Sequence, residues 1–535
     1  MSSAFAPAFL RGEARTNAFL PDDFRHAPRR AEHVRRAGAR GVSARTLAAL
    51  RAQSARLPPS PRRDEQLAAL GQPGTVAVVT GQQVGLFLGP LYAVYKAASA
   101  VVLARALQAE TGARCVPVFW LQGEDHDFEE IAHCDVNGRG GALVRLQLAA
   151  PHRVPRSSLS GLVLGEGVEG ALESLAAALE GLPHADEVLG LYRRHYGPGQ
   201  TWVRAFAGVM AELFDELVFL DPRDEALAAQ AAPLHRRALG EAPALSTLLL
   251  ERQAALERAG FAAQVHVRPG APLSFFHPEG PDGPRYRLEP SGDGWGLVGA
   301  PAAETTGQSP RAWSRADVLA RDPLCFSTSA LLRPLLQDTL LPTAAVVGGP
   351  GEANYFAQLA PLYAHFGLPM PMFVPRARFR VVDARTQSLL STLGLSASEV
   401  EVPAEALLQR LLPAPPSLPP AELEHRLVEA VEPLLAAVPV TPGSDVEDAV
   451  QRTRKTFARA ASRLAGRCAR ERLRSDELLA SRVERLQRAL FPHGEPQERV
   501  LGLPGFAARF GVRHFTEHVL AHVDPFDAVV KDLVP

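Results

Sequence analysis

Residues 76–130 read VAVVTGQQVGLFLGPLYAVYKAASAVVLARALQAETGARCVPVFWLQGEDHDFEE. An apolar strand (Val76–Val79) is followed by a turn with glycines at Gly81, Gly85 and Gly89, then by an apolar helix opened by Pro90. A second apolar strand, Cys115–Leu121, runs into a cluster of acids. This is the pattern of a βαβ unit. Ligands of open α/β sheets sit beyond the carboxyl ends of the strands, so Thr80–Gly89 and the acids after Leu121 are expected to face one crevice.

Pro suits the first turn of a helix, where its missing N–H costs nothing. Gly89, Tyr92 and Lys96 share one helix face, and helical side chains lean toward the N-terminus, so Lys96 reaches back toward the turn. Leu91, Val94, Ala98 and Val101 form a separate stripe for the core, and Gly112 ends the helix. The glycines permit close approach of a ligand and the helix N-terminus favours an anion. The stretch matches neither GxxxxGK[ST] nor GxGxxG, so a tight strand-to-helix connection is the other reading. Beyond Leu121, Asp127 and Glu130 have capping-box spacing. Glu124, Asp125 and His126 lack that explanation and can hold Mg²⁺ or act as general base. A zinc site from His126, His133 and Cys134 is a further reading, with a spacing unlike structural zinc motifs.

Composition narrows the function classes. The 535 residues leave room for more than one domain, and a net charge of -1 points to neither nucleic acid nor a membrane surface as partner. Cys115, Cys134, Cys325 and Cys468 lack CxxC spacing and suit reduced thiols of a cytoplasmic protein. No stretch has the ~18 apolar residues that span a bilayer. Lysine occurs only at Lys96, Lys455 and Lys531 among 57 basic residues. A lysine kept beside a glycine-rich turn in so arginine-biased a chain suggests a ligand contact that arginine cannot make.

The rest divides by composition. Residues 1–70 form a helical N-terminal extension, with Ser43–Leu57 helical and stopped by Pro58. Residues 71–140 form the first half of the core, 141–200 an insertion with a strand-like ALVRLQL and a helix over Glu169–Leu179, and 201–232 a return to the core. In that return, helix Trp202–Leu213 leads to strand Val218–Leu220 and Asp221, either a ribose or metal partner or a turn opener. Residues 233–325 are an insertion, partly β, with short runs at Gln264–Arg268, Leu273–Phe276 and Tyr286–Leu288. The second half of the core, 326–385, is covered in large part by CFSTSALLRPLLQDTLLPTAAVVGGPGEANYFAQLAPLYAHFGLPMPMFVPR (residues 325–376). There helix Leu331–Leu340, strand Thr343–Val347, the turn Gly348–Gly351, a helix with Glu352 and Tyr355, and strand Met370–Val374 make a second βαβ unit that rejoins the first sheet. Arg333 is a surface residue or a carboxylate clamp, and Tyr95 and Tyr363 pack helices. Residues 386–490 are a helical coiled-coil arm, with a linker at Pro413–Pro420 and a capping box at Ser444 and Glu447. From there Val450, Phe457 and Leu464 repeat at seven, with Ala461 and Cys468 between, and Leu479, Val483, Leu486 and Leu490 resume the seam. A helix ~65–70 Å long exceeds one globular domain, so a dimer contact is its expected use. Residues 491–535 return to the body.

TGQQVGLFLGPLYAVYKA, VFWLQGEDHDFEE, LLRPLLQDTLLPTAAVVGGPGEANYFAQL, PMPMFVPR and the terminal LFPxxxPQERV resemble the bacillithiol biosynthesis cysteine-adding enzyme family over nearly the whole chain. The resemblance implies an α/β fold: a Rossmann-like, nucleotidyltransferase-type core akin to class I aminoacyl-tRNA synthetases, connecting-peptide insertions and a long C-terminal coiled coil that makes a homodimer. It implies a ligase of the carbon–nitrogen bond-forming class (EC 6) that joins cysteine to the glucosamine nitrogen of glucosaminyl malate. Gly89–Tyr92 (GPLY) stands where synthetases carry HxGH, and Pro375–Arg376 where a KMSKS-like loop would follow Val374. Both departures argue against an ordinary aminoacyl-adenylate mechanism. Amide formation needs an activated carboxylate, so ATP (or another nucleotide) and Mg²⁺ are the expected cofactors. In that scheme Thr80, Gly81, Gly85, Gly89 and Lys96 hold phosphates, with Arg376 as a further candidate. Glu124, Asp125 and His126 bind the metal or take the amine's proton, and Gln82, Gln83, Trp120 and Tyr355 contact sugar or cysteine. Tyr92, Arg333, Gly348, Gly349 and Glu352 complete the expected binding set. A nucleotidyltransferase for another small molecule and a non-catalytic, dimeric nucleotide-binding scaffold are the competing readings.

Overall fold

The computed structural model describes residues 4–149, 155–300, 313–412, 418–474 and 477–535. The chain forms two compact units, one of Met1–Phe379 with Glu498–Leu533, the other of Arg380–Gln497.

In the first unit, β1 (Val76–Gln83) and β2 (Cys115–Gln122) are apolar on both faces, the composition of a strand covered by helices on each side. They pair in parallel, Val79 opposite Val118 and Gly81 opposite Trp120. A hairpin of β3 (His133–Asn137) and β4 (Leu143–Gln147) follows, and β5 (Val218–Leu220) adds to β2 in parallel. The second insertion folds into an antiparallel sheet of β6 (Ser274–Phe276), β7 (Tyr286–Ser291), β8 (Gly294–Val298) and β9 (Phe326–Thr328). The run Gln264–Arg268 is not part of it; Val265 is tied instead by its backbone to the Gln358 side chain. Then β10 (Thr343–Gly348) and β11 (Met372–Pro375) complete the central sheet, in the order β11-β10-β1-β2-β5. The two βαβ units join where β1 meets β10, and the chain leaves that junction in opposite directions, which opens a crevice at the carboxyl ends of these two strands.

The glycine-rich stretch differs from its sequence reading. The strand continues through Thr80–Gln83, and Thr80 donates its hydroxyl to the Val347 carbonyl across the β1–β10 seam. The loop after it is buried: Val84, Gly85 and Phe87 give their carbonyls to Trp202, Tyr196 and Tyr192. The helix starts at Tyr92 rather than Pro90 and runs to Thr111. Pro90 bridges to Gly502, and the Leu91 amide donates to the Leu501 carbonyl, so the returning C-terminal segment covers this helix end.

The N-terminal helices fill the core, with Phe5 edge-on to Phe261 at 5.1 Å between ring centroids. Among the described residues no helix is long and apolar enough to cross a membrane.

In the second unit Val382, Leu390, Val400, Leu407, Val483, Leu486 and Leu490 form a core of their own. Helix Asp445–Arg474 is capped as expected, Ser444 accepting from the Glu447 amide, while the Glu447 carboxylate turns back to the Gly443 amide. Helix Glu477–Leu490 resumes the run, residues 475 and 476 lying outside the described residues, as do 413–417 of the proline linker. The arm is a hairpin: helix Pro420–Ala436 packs along Asp445–Arg474, with Glu432 and Arg454 paired at 2.6 Å. Its buried stripe is Ala461 of the expected seam with Ala465 and Ala469, whereas Phe457 and Leu464 of that seam are nearly half exposed and Cys468 is exposed.

Gly502 lies where the returning C-terminal segment bridges to Pro90. A Cβ there would overlap the Cys134 sulfur and stand 3.0 Å from the Gly89 carbonyl. Gly502→Ala is therefore expected to cost about 1–3 kcal/mol by overpacking, read as a lower denaturation midpoint.

Candidate active site

A cleft of about 430 Å³ opens at the carboxyl ends of β1, β2 and β10. Its floor is the end of β1. A Cβ at Gly81 would stand 2.9 Å from the Cβ and carbonyl oxygen of Trp120, so only glycine fits between these strands.

Lys96 reaches back from its helix as the spacing predicts, and the residue is 4 % exposed. Nζ donates to the Gly81 carbonyl at 2.8 Å and to Gln82 Oε1 at 2.9 Å, and pairs with Glu352 Oε2 at 2.5 Å. Burial pulls its pKa down and the Glu352 carboxylate opposes this. Three acceptors occupy its three donors. Glu352 also accepts from the Gly349 amide at 2.8 Å, so one carboxylate caps the helix after β10 and ties it to β1. Beside it, Arg333 donates to Tyr355 Oη at 3.1 Å and Gln337 Oε1 at 3.2 Å, within the cleft wall rather than on the outer surface.

Asp125 stands on the β2 side. It accepts from Gln83 at 3.0 Å and from its neighbour His126 through the backbone amide at 2.7 Å, and it pairs with Arg285 at 3.3 Å. Burial works against its charge, but the His126 hydrogen bonds and Arg285 prevail and hold the carboxyl well below the usual range. Arg285 enters from the inserted sheet. It lies over the Phe275 ring at 3.9 Å and donates to the Glu124 carbonyl at 2.6 Å, which docks the insertion on the end of β2.

Arg376, just past β11, forms a bidentate pair with Glu498 at 2.7 and 2.8 Å, both side chains nearly fully buried, and lies 5.6 Å from the Tyr92 ring centroid. The next residue, Arg499, lines the cleft. The C-terminal return thus supplies one cation and anchors another.

Of the residues expected from sequence, Gly81, Gln82, Gln83, Tyr92, Lys96 and Trp120 line the cleft from the first βαβ unit, with Asp125 beyond β2. Arg333, Gly349, Glu352, Tyr355 and Arg376 line it from the second. Others stand away from it. Thr80 is spent on the β1–β10 seam, and Gly85 and Gly89 lie in the buried loop against the Tyr192 and Trp202 helices. Gly348 packs under the Phe373 ring. Glu124 is buried, accepting from the backbone and hydroxyl of Thr328 at 3.1 and 2.6 Å, and so anchors β9. His126 leans on Asp125 outside the cleft wall. Asp221 is half-buried beside Arg223 and Gln53, where desolvation pushes its carboxyl up to about 6. The zinc reading also fails: His133 faces the surface on the Glu129 carbonyl, while Cys134 is buried. Sequence reasoning passed over Gln122, Arg285, Thr328–Ala330, Pro350, Gly351 and Arg499. Gln122, Pro350, Gly351 and Arg499 carried a signal, each inside a motif quoted for the family resemblance; Arg285 and Ser329 sit in short, irregular stretches with none.

The cations Lys96, Arg285, Arg333, Arg376 and Arg499 suit phosphate or carboxylate oxygens alike. Asp125 and Glu352 are each held by a cation, and among the described residues no group of three His, Cys, Asp or Glu is arranged to hold a metal ion.

Residues 1–377 match the family model "Bacillithiol biosynthesis BshC, N-terminal Rossmann-like domain", and residues 379–531 match "Bacillithiol biosynthesis BshC, C-terminal coiled-coil domain". Similar curated relatives, each named "Putative cysteine ligase BshC", come from three bacteria. The Salinibacter ruber protein is 32% identical over 507 residues, 91% of this chain and 88% of the relative. That of Koribacter versatilis is 34% identical over 491 residues (88% and 86%), and that of Solibacter usitatus 34% over 475 (87% and 84%).

Burial resists ionisation of Glu498, yet Arg376 and Arg378 keep its carboxyl below the ordinary 4.5. Its stabilisation is therefore complete above pH 4.5 and disappears as pH falls through the lowered folded value. Glu498→Gln leaves Arg376 buried without its partner, at an expected cost of about 3–5 kcal/mol near neutral pH, and flattens the acid limb of the stability profile. Denaturant unfolding from pH 3 to 7 measures both.

Proposed function

The chain belongs to the bacillithiol biosynthesis BshC family, and from that membership we propose that it is a cytoplasmic cysteine ligase, joining the cysteine carboxyl to the glucosamine amine of glucosaminyl malate. The observation that carries this reading is the convergence of five cations and the ionised Asp125 on one cleft at the junction of the two βαβ units.

Amide formation makes a C–N bond, breaks the bond from carboxyl carbon to the departing oxygen, and releases a proton from the amine. A nucleoside triphosphate, when bound, would supply the phosphorus that makes that oxygen a leaving group. Arg333 and Arg499 hold the anionic oxygens of the reactants, malate carboxylates and phosphates being equivalent to a guanidinium fork. Arg376 contributes its charge from the Glu498 pair. Lys96, with its donors occupied, fixes the end of β1 against Glu352 and so positions Gln82 and Gly81. Asp125, held below the usual carboxylate range, is a poor proton acceptor and a fixed counter-charge. It orients the amino group and leaves the proton to solvent.

Purified protein given glucosaminyl malate, cysteine, ATP and Mg²⁺, with each omitted in turn, is expected to yield the cysteinyl amide by mass spectrometry, with loss of product when the nucleotide is left out. A nucleotide joined to some other acceptor, or no product from folded protein, overturns the reading. Arg333→Ala removes a charged hydrogen bond worth ~1.5–3 kcal/mol, so product formation should fall about 10–100-fold in a folded protein. Asp125→Asn should raise the KM for the amine substrate more than it lowers kcat.

The same reading includes a homodimer through the arm. Phe457 and Leu464 expose apolar surface on one long helix, with Leu427 and Leu434 on its hairpin partner, in a unit whose own core is already complete. Phe457→Glu with Leu464→Glu is expected to halve the mass measured by light scattering while leaving the helical circular dichroism unchanged.

A further inference from the structure

The last helix of the first unit, Val512–His522, carries histidines one turn apart at His514, His518 and His522. Phe515, Thr516 and Val519 form its buried stripe. His514 and His522 are exposed and His518 is half-buried, so the imidazoles run along the rim between core and solvent. The rings of His518 and His522 approach to 4.2 Å between centroids with a 44° tilt, while His514 is 6.0 Å from His518. Nδ1 of His522 lies 2.8 Å from the His518 carbonyl oxygen. A carbonyl only accepts, so Nδ1 carries the proton and Nε2 keeps its lone pair.

We propose that His518 and His522 chelate a divalent transition-metal ion of the imidazole-preferring kind, Zn²⁺, Ni²⁺ or Cu²⁺, with water completing the coordination. Residues four apart on a helix face each other, so two imidazoles reach one ion from a single turn. These ions favour imidazole over the carboxylate and carbonyl ligands that suit Mg²⁺ or Ca²⁺. The bond from Nδ1–H to a backbone carbonyl is the outer contact that orients metal-ligating histidines. Two protein ligands make an open, exchangeable site, unlike the closed four-ligand sites of structural zinc. None of the three histidines lines the cleft, so metal loading and ligation are separable. An ion held across the final turn also clips the end of the helix, and ligand binding to the folded state alone raises its stability.

The test uses the untagged, full-length protein stripped with chelator and titrated calorimetrically with NiCl₂, then with ZnCl₂, near neutral pH. Expected is one ion bound per chain, with His518→Ala and the exposed His522→Gln each weakening it by about tenfold or more. His514→Ala, outside the chelate, should change affinity less than about threefold, a difference well under that expected for losing a ligand. Ni²⁺ should raise the thermal midpoint of the wild type more than that of His522→Gln at the same concentration, with ligase turnover equal in both. Absence of binding by the folded wild type, or unchanged binding by the His518→Ala/His522→Gln double variant, overturns the proposal.

Discussion

The ion pair of buried Lys96 with half-buried Glu352 is the contact on which the site depends. It joins a helix of the first βαβ unit to the helix after β10 of the second, across the junction of the central sheet. Taking two charges out of water costs several kcal/mol per ion, and mutual attraction offsets this only when the remaining donors and acceptors are also satisfied. Here they are: the ammonium has Gly81 and Gln82, and the carboxylate has the Gly349 amide. The three acceptors converge on a point, a geometry that suits a compact ammonium and not a planar fork. That is a physical reason for a lysine to persist at this position in a chain where arginine is otherwise the rule.

Much of the fold was legible because its signals are local. Strand Val218–Leu220 and helix Trp202–Leu213 fall where the apolar runs place them, and the pairing of β1 with β10 follows from two βαβ patterns sharing one sheet. The loop of Gly85 and Gly89 was misread for the same reason. Glycine spacing signals close backbone approach, and the structure has it, but the approaching groups are Trp202, Tyr196 and Tyr192 of the protein's own helices. A ligand and a neighbouring helix demand the same absence of side chain. The arm was legible as a long helix and not as a hairpin, because small residues such as Ala465 and Ala469, which with Ala461 of the expected seam make the buried stripe, are a weaker pattern than the Phe457 and Leu464 repeat that stays exposed.

Of the site residues that sequence reasoning missed, Gln122, Pro350 and Gly351 border residues already expected, whereas Arg285, Thr328–Ala330 and Arg499 belong to segments distant in sequence whose structure is set by docking. Arg285 reaches Asp125 because β7 is held against β6, with Thr328 of β9 anchored by Glu124. Arg499 reaches the cleft because the chain around it hangs on the Arg376–Glu498 pair and on the backbone bond from Leu91 to Leu501. No local periodicity encodes such positions. The insertion and the C-terminal return therefore act as walls whose side chains can change without disturbing the central sheet, which is where differences in substrate among related cleft enzymes are expected to arise.

The charge balance of the cleft bears on the proposed amide synthesis. The protein as a whole is close to neutral, yet five cations face the cleft against Asp125 and Glu352, and Glu498 stands behind Arg376. The excess of positive charge attracts anionic reactants from solution and, in a partly buried site, lowers the pKa of any ammonium brought among them. The attacking amine must be neutral, so the field that gathers carboxylates and phosphates also favours the reactive form of the nucleophile. Asp125 does not cancel this, because Arg285 and the His126 amide already compensate its charge. A carboxylate so compensated can accept a hydrogen bond from the amine without stabilising its protonated form, which lets one cleft bind anions and activate an amine without a strong base.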